Sequence, residues 1–384
     1  MNKKITNWIG SLTDSISERD LNLIRRAANT IENNIFKGEK FPWEPYVCIS
    51  PGLENFDGIW NWDSAFHAMA VAYWDCDLAK DSIYGFFKFQ DEKGMLPDVV
   101  WKNGTVVNQF TKPPVFAQAV KRVFSKCGDR EFIKIMYPKL YSNAKFWEKY
   151  RMYDGLFYYD AFNKEESNYI QNAKFESGWD DSVRWDIPIY ELWAVDLNCF
   201  MIEYYREMSY LAKELGNFQD GLMWEENADQ LDKLVNERLW DEKQKSYVDT
   251  NRFTGEKSSV LSPACFMPLY INIASSHRAD MMNKLACDEH KFYRGMPTVA
   301  YDNPEHSTTY WRGPTWLNVA YFAAKGLKNY GFSSGDDIKN TILAWCNNDK
   351  RGIFENYNSI TGEGLCCDHF SWSSAFIIEF ILNF

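Results

Sequence analysis

The stretch FESGWDDSVRW at 175–185 places Glu176, Asp180 and Asp181 within six positions, next to Trp179, Arg184 and Trp185. Adjacent carboxylates are common on solvated turns. An indole packed against one of them, however, strips it of water and raises its pKa, so that it can hold a proton at neutral pH. A general acid requires that, and Asp180 and Asp181 are both candidates. A second acidic stretch, FENYNSITGEG at 354–364, sets Glu355 beside Phe354 and near Tyr357, while Glu363 stands between two glycines. Glu363 reads as solvated and Glu355 as half-buried, so Glu355 is the better candidate for a general base. Asn356, Tyr357 and Asn358 add hydrogen-bonding groups there.

Two further stretches combine aromatic faces with charge. In GIWNWDSAFHAMA (58–70), Asp63 reads as a helix N-cap, but capping accounts for neither Trp60 nor Trp62. An indole platform beside a carboxylate that can hold two hydroxyls fits a sugar subsite. In TTYWRGPTW (308–316), Arg312 stands among Tyr310, Trp311 and Trp316. Its guanidinium either stacks in the packing or clamps a substrate hydroxyl or carboxylate. Gln118, in TKPPVFAQAV (111–120), lies one turn into a helix that opens with Pro and faces either core or cavity.

Other chemistries lack their signatures. The five His residues form no HxxxH or HxH pair, and the acidic stretch lacks the alternating oxygen ligands and distal Glu of an EF-hand, so no metal site is expected. GxSxG, P-loop and GxGxxG patterns are missing, so no cofactor is expected either and chemistry falls to carboxylates. Aromatics make up 17% of the chain, many beside polar neighbours, which suits a sugar as small-molecule partner. Acids outnumber bases 53 to 42, a balance that disfavours nucleic acid and anionic membranes. No stretch approaches the ~18 apolar residues of a membrane span. The opening MNKKITNWIGSLTD lacks the apolar run of a signal peptide, and the nine Cys are scattered without CxxC spacing. A cytoplasmic protein with reduced thiols is expected.

These residues must be held by helices. Apolar residues recur at helical spacing over 19–35, 63–74, 77–90, 114–126, 130–150 and 186–214. The pattern continues over 218–239, 258–273, 277–287, 313–329, 335–346 and 369–383. Strand-like alternation is limited to GLFYYDAF (155–162) and KSYVDT (245–250). No linker interrupts the series, so residues 1–384 read as one helical domain, with 1–40 an N-terminal helical segment of it. About twelve helices without a linker suggest an α/α toroid or an irregular bundle, and the Trp- and acid-bearing stretches all fall between helices or at helix starts, where function tends to sit.

The motifs WNWDSAFHAMA, GMLPD, ESGWDDSVRW, AVDLNCF, GMPTVAYDNP, YWRGPTWLNVAYF and ENYNSITGEG…HFSWSSAF occur in one order over roughly residues 40–384. Together they resemble glycoside hydrolase family 63 and the related trehalases, most of all the compact branch with mannosylglycerate and glucosylglycerate hydrolases. The resemblance implies an all-α (α/α)6 barrel and an inverting exo-α-glycosidase, with Asp180 matching the general acid and Glu355 the general base. It places Trp60, Trp62, Asp63, Trp179, Arg184, Trp311, Arg312 and Trp316 on stretches that line the sugar pocket. The β-rich domain of larger members is missing from the pattern, which speaks against polysaccharide or glycoprotein substrates. Two rival functions remain: a sugar epimerase or isomerase on the same toroid, for which His306 and His369 would have to serve, and a non-catalytic sugar-binding protein.

Overall fold

A computed structural model describes residues 2–13 and 15–384. In chain order its helices are α1 (Lys3–Gly10), α2 (Glu18–Asn33), α3 (Asn61–Val71), α4 (Cys76–Phe87), α5 (Phe116–Cys127), α6 (Arg130–Tyr150) and α7 (Tyr169–Glu176). The second half adds α8 (Val195–Glu214), α9 (Phe218–Arg238), α10 (Met267–Tyr270), α11 (Ser276–Cys287), α12 (Leu317–Asn329), α13 (Ser333–Asn348) and α14 (Ser371–Leu382).

Burial sorts these helices into two rings. Every residue of α3 is buried, as are Ser371–Phe380 of α14 and most of α8 and α12. A helix that hides all its sides belongs inside the fold. The inner ring closes on itself: α3 touches α5, α5 touches α8, α8 touches α10, α10 touches α12, α12 touches α14, and α14 returns to α3. Outside it, α2 packs on α14, α4 on α3, α6 on α5 and α8, α9 on α8, and α13 on α12, while α11 packs against α13. The outer helix α2 shows the amphipathic alternative, burying Leu21, Leu23, Ile24, Ala27, Ala28 and Ile31 along one stripe. Six inner and six outer helices form an (α/α)6 barrel.

Local chemistry sets where helices begin and end. Ser17 and Asp129 cap α2 and α6, each accepting from backbone N–H groups of the first turn. The expected helix over 258–273 is instead a 3₁₀ turn, Pro263–Phe266, followed by the single turn of α10. Pro263 and Pro268 explain this, since a proline lacks the N–H for a helical bond and fits best in a first helical turn, and each stands at such a start. The helix expected from 186 begins only at Val195, after 3₁₀ turns at Val183–Trp185 and Ile189–Glu191.

Strand structure is sparse. One antiparallel sheet joins β1 (Gly58–Trp60), β2 (Val99–Trp101) and β3 (Val106–Val107), with Trp60 opposite Val99. Strands of two or three residues are too short to leave an alternation in sequence. Both segments read as strand-like do pair, Leu156–Phe157 with Met152–Tyr153 and Ser246–Tyr247 with Trp240–Asp241.

The expectation of reduced thiols throughout fails at one pair. Cys76 and Cys127 form a disulfide. Cys76 opens α4 and Cys127 closes α5, and the packing of these helices brings their Cα atoms to 5.8 Å, within bridging range. Sequence spacing gave no sign of it, because a bridge across 51 residues is set by helix packing. Among the described residues no helix is long and apolar enough to cross a membrane.

Candidate active site

The loops that lead into α3, α5, α8, α12 and α14 converge on one cavity. Its wall includes Trp60, Trp62 and Asp63 at the start of α3, Lys112 before α5, and Gly178 and Asp180 before α8. Tyr310, Trp311 and Trp316 precede α12, and Glu355, Phe370 and Trp372 surround the start of α14. The cavity measures about 50 Å³. At the roughly 10–15 Å³ that one water needs, it has room for a few waters. A wider groove of about 570 Å³ runs past Ile35, Phe41 and Asp81, but its wall contains no indole.

Aromatic rings build the cavity wall. Trp311 and Trp316 stack face to face at 3.8 Å and 8°, and Trp179 backs Trp311 at 5.1 Å. Trp372 meets Trp62 edge-on at 5.1 Å. Gly178 permits this packing, since its φ is +73° and a Cβ there would sit 2.4 Å from the Trp62 ring. The glycine in ESGWDD therefore serves both a left-handed turn and a close approach.

Three carboxylates face this apolar enclosure. Asp180 follows the Gly178 turn and lines the cavity with its side chain 22% exposed, and its Oδ1 is buried and carries no hydrogen bond. Burial raises its pKa, the Lys112 ammonium 3.8 Å away opposes the rise, and the Asp181 charge adds to it. Glu355 accepts from the Tyr310 hydroxyl at 3.3 Å and from Cys367 N–H at 3.4 Å. Burial pushes it up to about 7, against those two donors and helped by the Asp180 charge. Asp63 is pushed up further, to about 8, by burial, against the Lys112 charge and its own backbone N–H and with the Asp98 and Glu355 charges helping. Asp98 stands behind the wall, 3.4 Å from Lys112, raised to about 6 chiefly by burial.

Asp63 is not the N-cap. It is the third residue of α3, and Trp60 occupies the cap position without a side-chain bond. Asp63 is thus free to turn its carboxylate into the cavity.

The other expected residues divide. Trp60, Trp62, Trp311 and Trp316 line the cavity with the carboxylates, whereas Trp179 stands one layer behind as the support of Trp311. Arg184 is fully buried away from the cavity, holding Asp196 and Asp249 through four bonds of 2.8–2.9 Å. Arg312 lies outside the wall, bonded to Asp186, Glu305 and the Asp181 carbonyl. Tyr357 is buried in the β-bridge to Thr315, its hydroxyl accepting from Phe354 N–H. Gln118 faces the barrel interior, donating to Glu203 and to the Tyr270 hydroxyl. Asp181 accepts from Trp311 N–H at 2.9 Å and so ties the acidic loop to the tryptophan loop. Glu176 is locked to Arg151 at 2.6 and 2.8 Å in the core.

Sequence reasoning passed over Lys112, Phe56, Phe370 and Trp372, and it read Tyr310 only as a neighbour of Arg312. The helix expected to open with Pro in fact starts at Phe116, after Pro113 and Pro114, and for Lys112 the available signal was its place in the loop that leads into it. Neither His306 nor His369 lines the cavity, and His369 pairs with Asp368 instead. Among the described residues no group of three or more His, Cys, Asp or Glu is placed to hold a metal ion.

A family model described as the mannosylglycerate hydrolase MGH1-like glycoside hydrolase domain matches residues 57–373, which include every residue of the cavity wall except Pro51 and Phe56. The chain belongs to that family. It is a glycoside hydrolase. Mannosylglycerate hydrolase of Rubrobacter radiotolerans is 23% identical over 87% of this chain and 92% of its own length. The glycoside hydrolase family 63 mannosylglycerate hydrolase of Thermus thermophilus, solved in complex with Tris and D-glycerate, superposes with a TM-score of 0.79 at 23% identity, over 93% of this chain and 99% of that one. Neutral trehalase Nth1 of Saccharomyces cerevisiae superposes at 0.73 with 17% identity, over 92% of this glycoside hydrolase and 79% of the trehalase.

Proposed function

We propose that this glycoside hydrolase is an inverting, exo-acting α-glycosidase that cleaves a short α-glucoside or a related α-glycoside. Asp180 is its general acid and Glu355 its general base. One observation carries the reading: two buried carboxylates from loops 175 residues apart line the same cavity, each raised in pKa.

Asp180 donates its proton to the glycosidic oxygen as the bond to the anomeric carbon breaks. Glu355 takes a proton from a water that attacks the opposite face, and the two groups need about 6.5–9.5 Å between them to admit that water. Tyr310 holds the Glu355 carboxylate in place and stabilises its charged form. Asp63 lacks side-chain donors in the free cavity, and sugar hydroxyls supply them while indole faces take the C–H side of the ring. A cavity this small favours removal of a terminal sugar.

Of the two neighbouring acids, Asp180 is preferred because Asp181 already holds Trp311 N–H and lies outside the wall. The names of the relatives bring glycosylglycerates, and mannose besides glucose, into the substrate panel. Proton NMR of the first anomer released from an α-glycoside tests the mechanism. Inversion yields the β-sugar first, and an initial α-sugar removes the roles given to both carboxylates. Asp180→Asn should also lose cleavage of alkyl glycosides while retaining turnover of a glycosyl fluoride, whose leaving group needs no proton.

A further inference from the structure

One peptide unit between the acid loop and the base is held from both sides. Its N–H, that of Trp311, donates to Asp181 Oδ1 at 2.9 Å, and its carbonyl, that of Tyr310, accepts from Trp316 Nε1 at 2.9 Å. Asp181 is gripped in return, since Arg312 Nη1 donates to its carbonyl at 3.0 Å. Tyr310 itself has φ +37°, in the left-handed region that a bulky residue adopts only where its surroundings enforce it. From that backbone its ring packs edge-on against Trp316 at 5.1 Å, and its hydroxyl donates to Glu355 Oε1 at 3.3 Å.

The Glu355 carboxylate has few holders. Besides the Tyr310 hydroxyl, the Cys367 N–H at 3.4 Å is its one other donor among the described residues. The titratable groups that face it are Tyr310, Asp180, Asp63 of α3 and the thiols of Cys366 and Cys367. Those that face Asp181 are Arg312, Asp186, Asp180 and the Cys366 thiol. Asp181 therefore acts on Asp180 directly by charge, but its hydrogen-bonded route to Glu355 runs through the 310–311 peptide and the Tyr310 side chain.

We infer that Asp181 is a positioning residue of this enzyme, whose carboxylate seats Tyr310 against Glu355 through the Trp311 N–H, so that the loop bearing the acid also orders the base. The inference rests on the α-glycosidase reading and adds to it a residue outside the cavity wall. Without an acceptor at position 181 the Trp311 N–H loses its partner, the left-handed turn at Tyr310 relaxes, and the Tyr310 hydroxyl leaves Glu355. A donor that favours the ionised base is then gone, so Glu355 keeps its proton to higher pH. The Asp181 charge has a separate effect. It raises the pKa of Asp180, which falls whenever that charge is removed.

Three substitutions separate the two effects. Asp181→Asn removes the charge and keeps an acceptor for the Trp311 N–H, whereas Asp181→Leu and Asp181→Ala remove both. Carboxyl-carbon NMR of glutamate-labelled protein reads the base directly, its signal being the one missing from Glu355→Gln and titrating at about 7 in the unaltered protein. In the Leu and Ala variants, with folding verified by circular dichroism, Glu355 should titrate about one unit above its value in Asp181→Asn, the size of one hydrogen bond. In a Tyr310→Phe background the same substitutions should add no further rise, because the route they cut is already open. The acid limb of the pH–rate profile should rise in the Leu and Ala variants alone, while the alkaline limb falls in all three. A folded Leu or Ala variant whose Glu355 titrates where it does in Asp181→Asn overturns the inference, as does a further rise on top of Tyr310→Phe. The titration needs no turnover. If no α-glycoside is hydrolysed, or the first anomer released is α, the glycosidase roles fall, and the NMR comparison still decides whether Asp181 seats Tyr310 on Glu355.

Discussion

Lys112→Met removes the cation in the cavity wall while keeping the length of the side chain. The ammonium lies 3.8 Å from Asp180 and 3.4 Å from Asp98. Unit charges 3.8 Å apart at an effective dielectric of about 20 attract by about 4 kcal/mol, or about three pKa units if all of it fell on one group. Asp98 is the nearer carboxylate and shares the field, so a shift of roughly one to three units is expected at Asp180. The sign is fixed: Lys112 favours the ionised acid, so its loss raises the Asp180 pKa. A general acid works while protonated, and the alkaline limb of the kcat/KM profile should therefore move to higher pH. Lys112 is not among the groups acting on Glu355, whose burial, hydrogen-bond donors and Asp180 neighbour set its value of about 7. The acid limb should stay in place as an internal control. The assay is a pH profile of α-glycoside hydrolysis, with circular dichroism and melting to verify the fold. A folded variant whose alkaline limb stays put or moves down refutes the role given to Asp180.

Tyr310→Phe removes a donor that favours ionised Glu355, so the acid limb, expected near pH 7, should rise by about one unit. Asp63 is raised to about 8 from 3.8, so the unfolded chain gives up this proton first, and folding weakens as pH rises through the window from about 4 to about 8. Asp63→Asn should therefore gain stability over wild type across that window, as read by urea unfolding at about pH 5 and about pH 8, while losing most activity. Arg184→Met leaves Asp196 and Asp249 buried without their cation, and chemical denaturation should register a loss of about 3–5 kcal/mol.

The sequence by itself determined the helices and the positions of the two acidic stretches. Helical periodicity is a local property, and residues 130–150 and 218–239 were readable because each helix carries its own apolar stripe. Glu355 was preferred over Glu363 by its neighbours alone, and in the fold Glu355 is buried and Glu363 is not. Where local rules compete, sequence reading fell short: Pro263 and Pro268 broke a segment whose apolar spacing was helical, and Cys76 met Cys127 through helix packing.

Only the tertiary structure decided which charges face the cavity. Arg184 and Arg312 stood in stretches as promising as that of Asp180, yet both were claimed by carboxylates elsewhere in the chain, Asp249 and Asp186 among them. Lys112 looked like the start of an ordinary helix and proved to be the cation between Asp98 and Asp180. A side chain's partners across a barrel depend on how its loops close around one axis. Local sequence carries no record of that closure, because the free energy of pairing buried charges is set by distances of a few ångströms that the chain acquires only on folding.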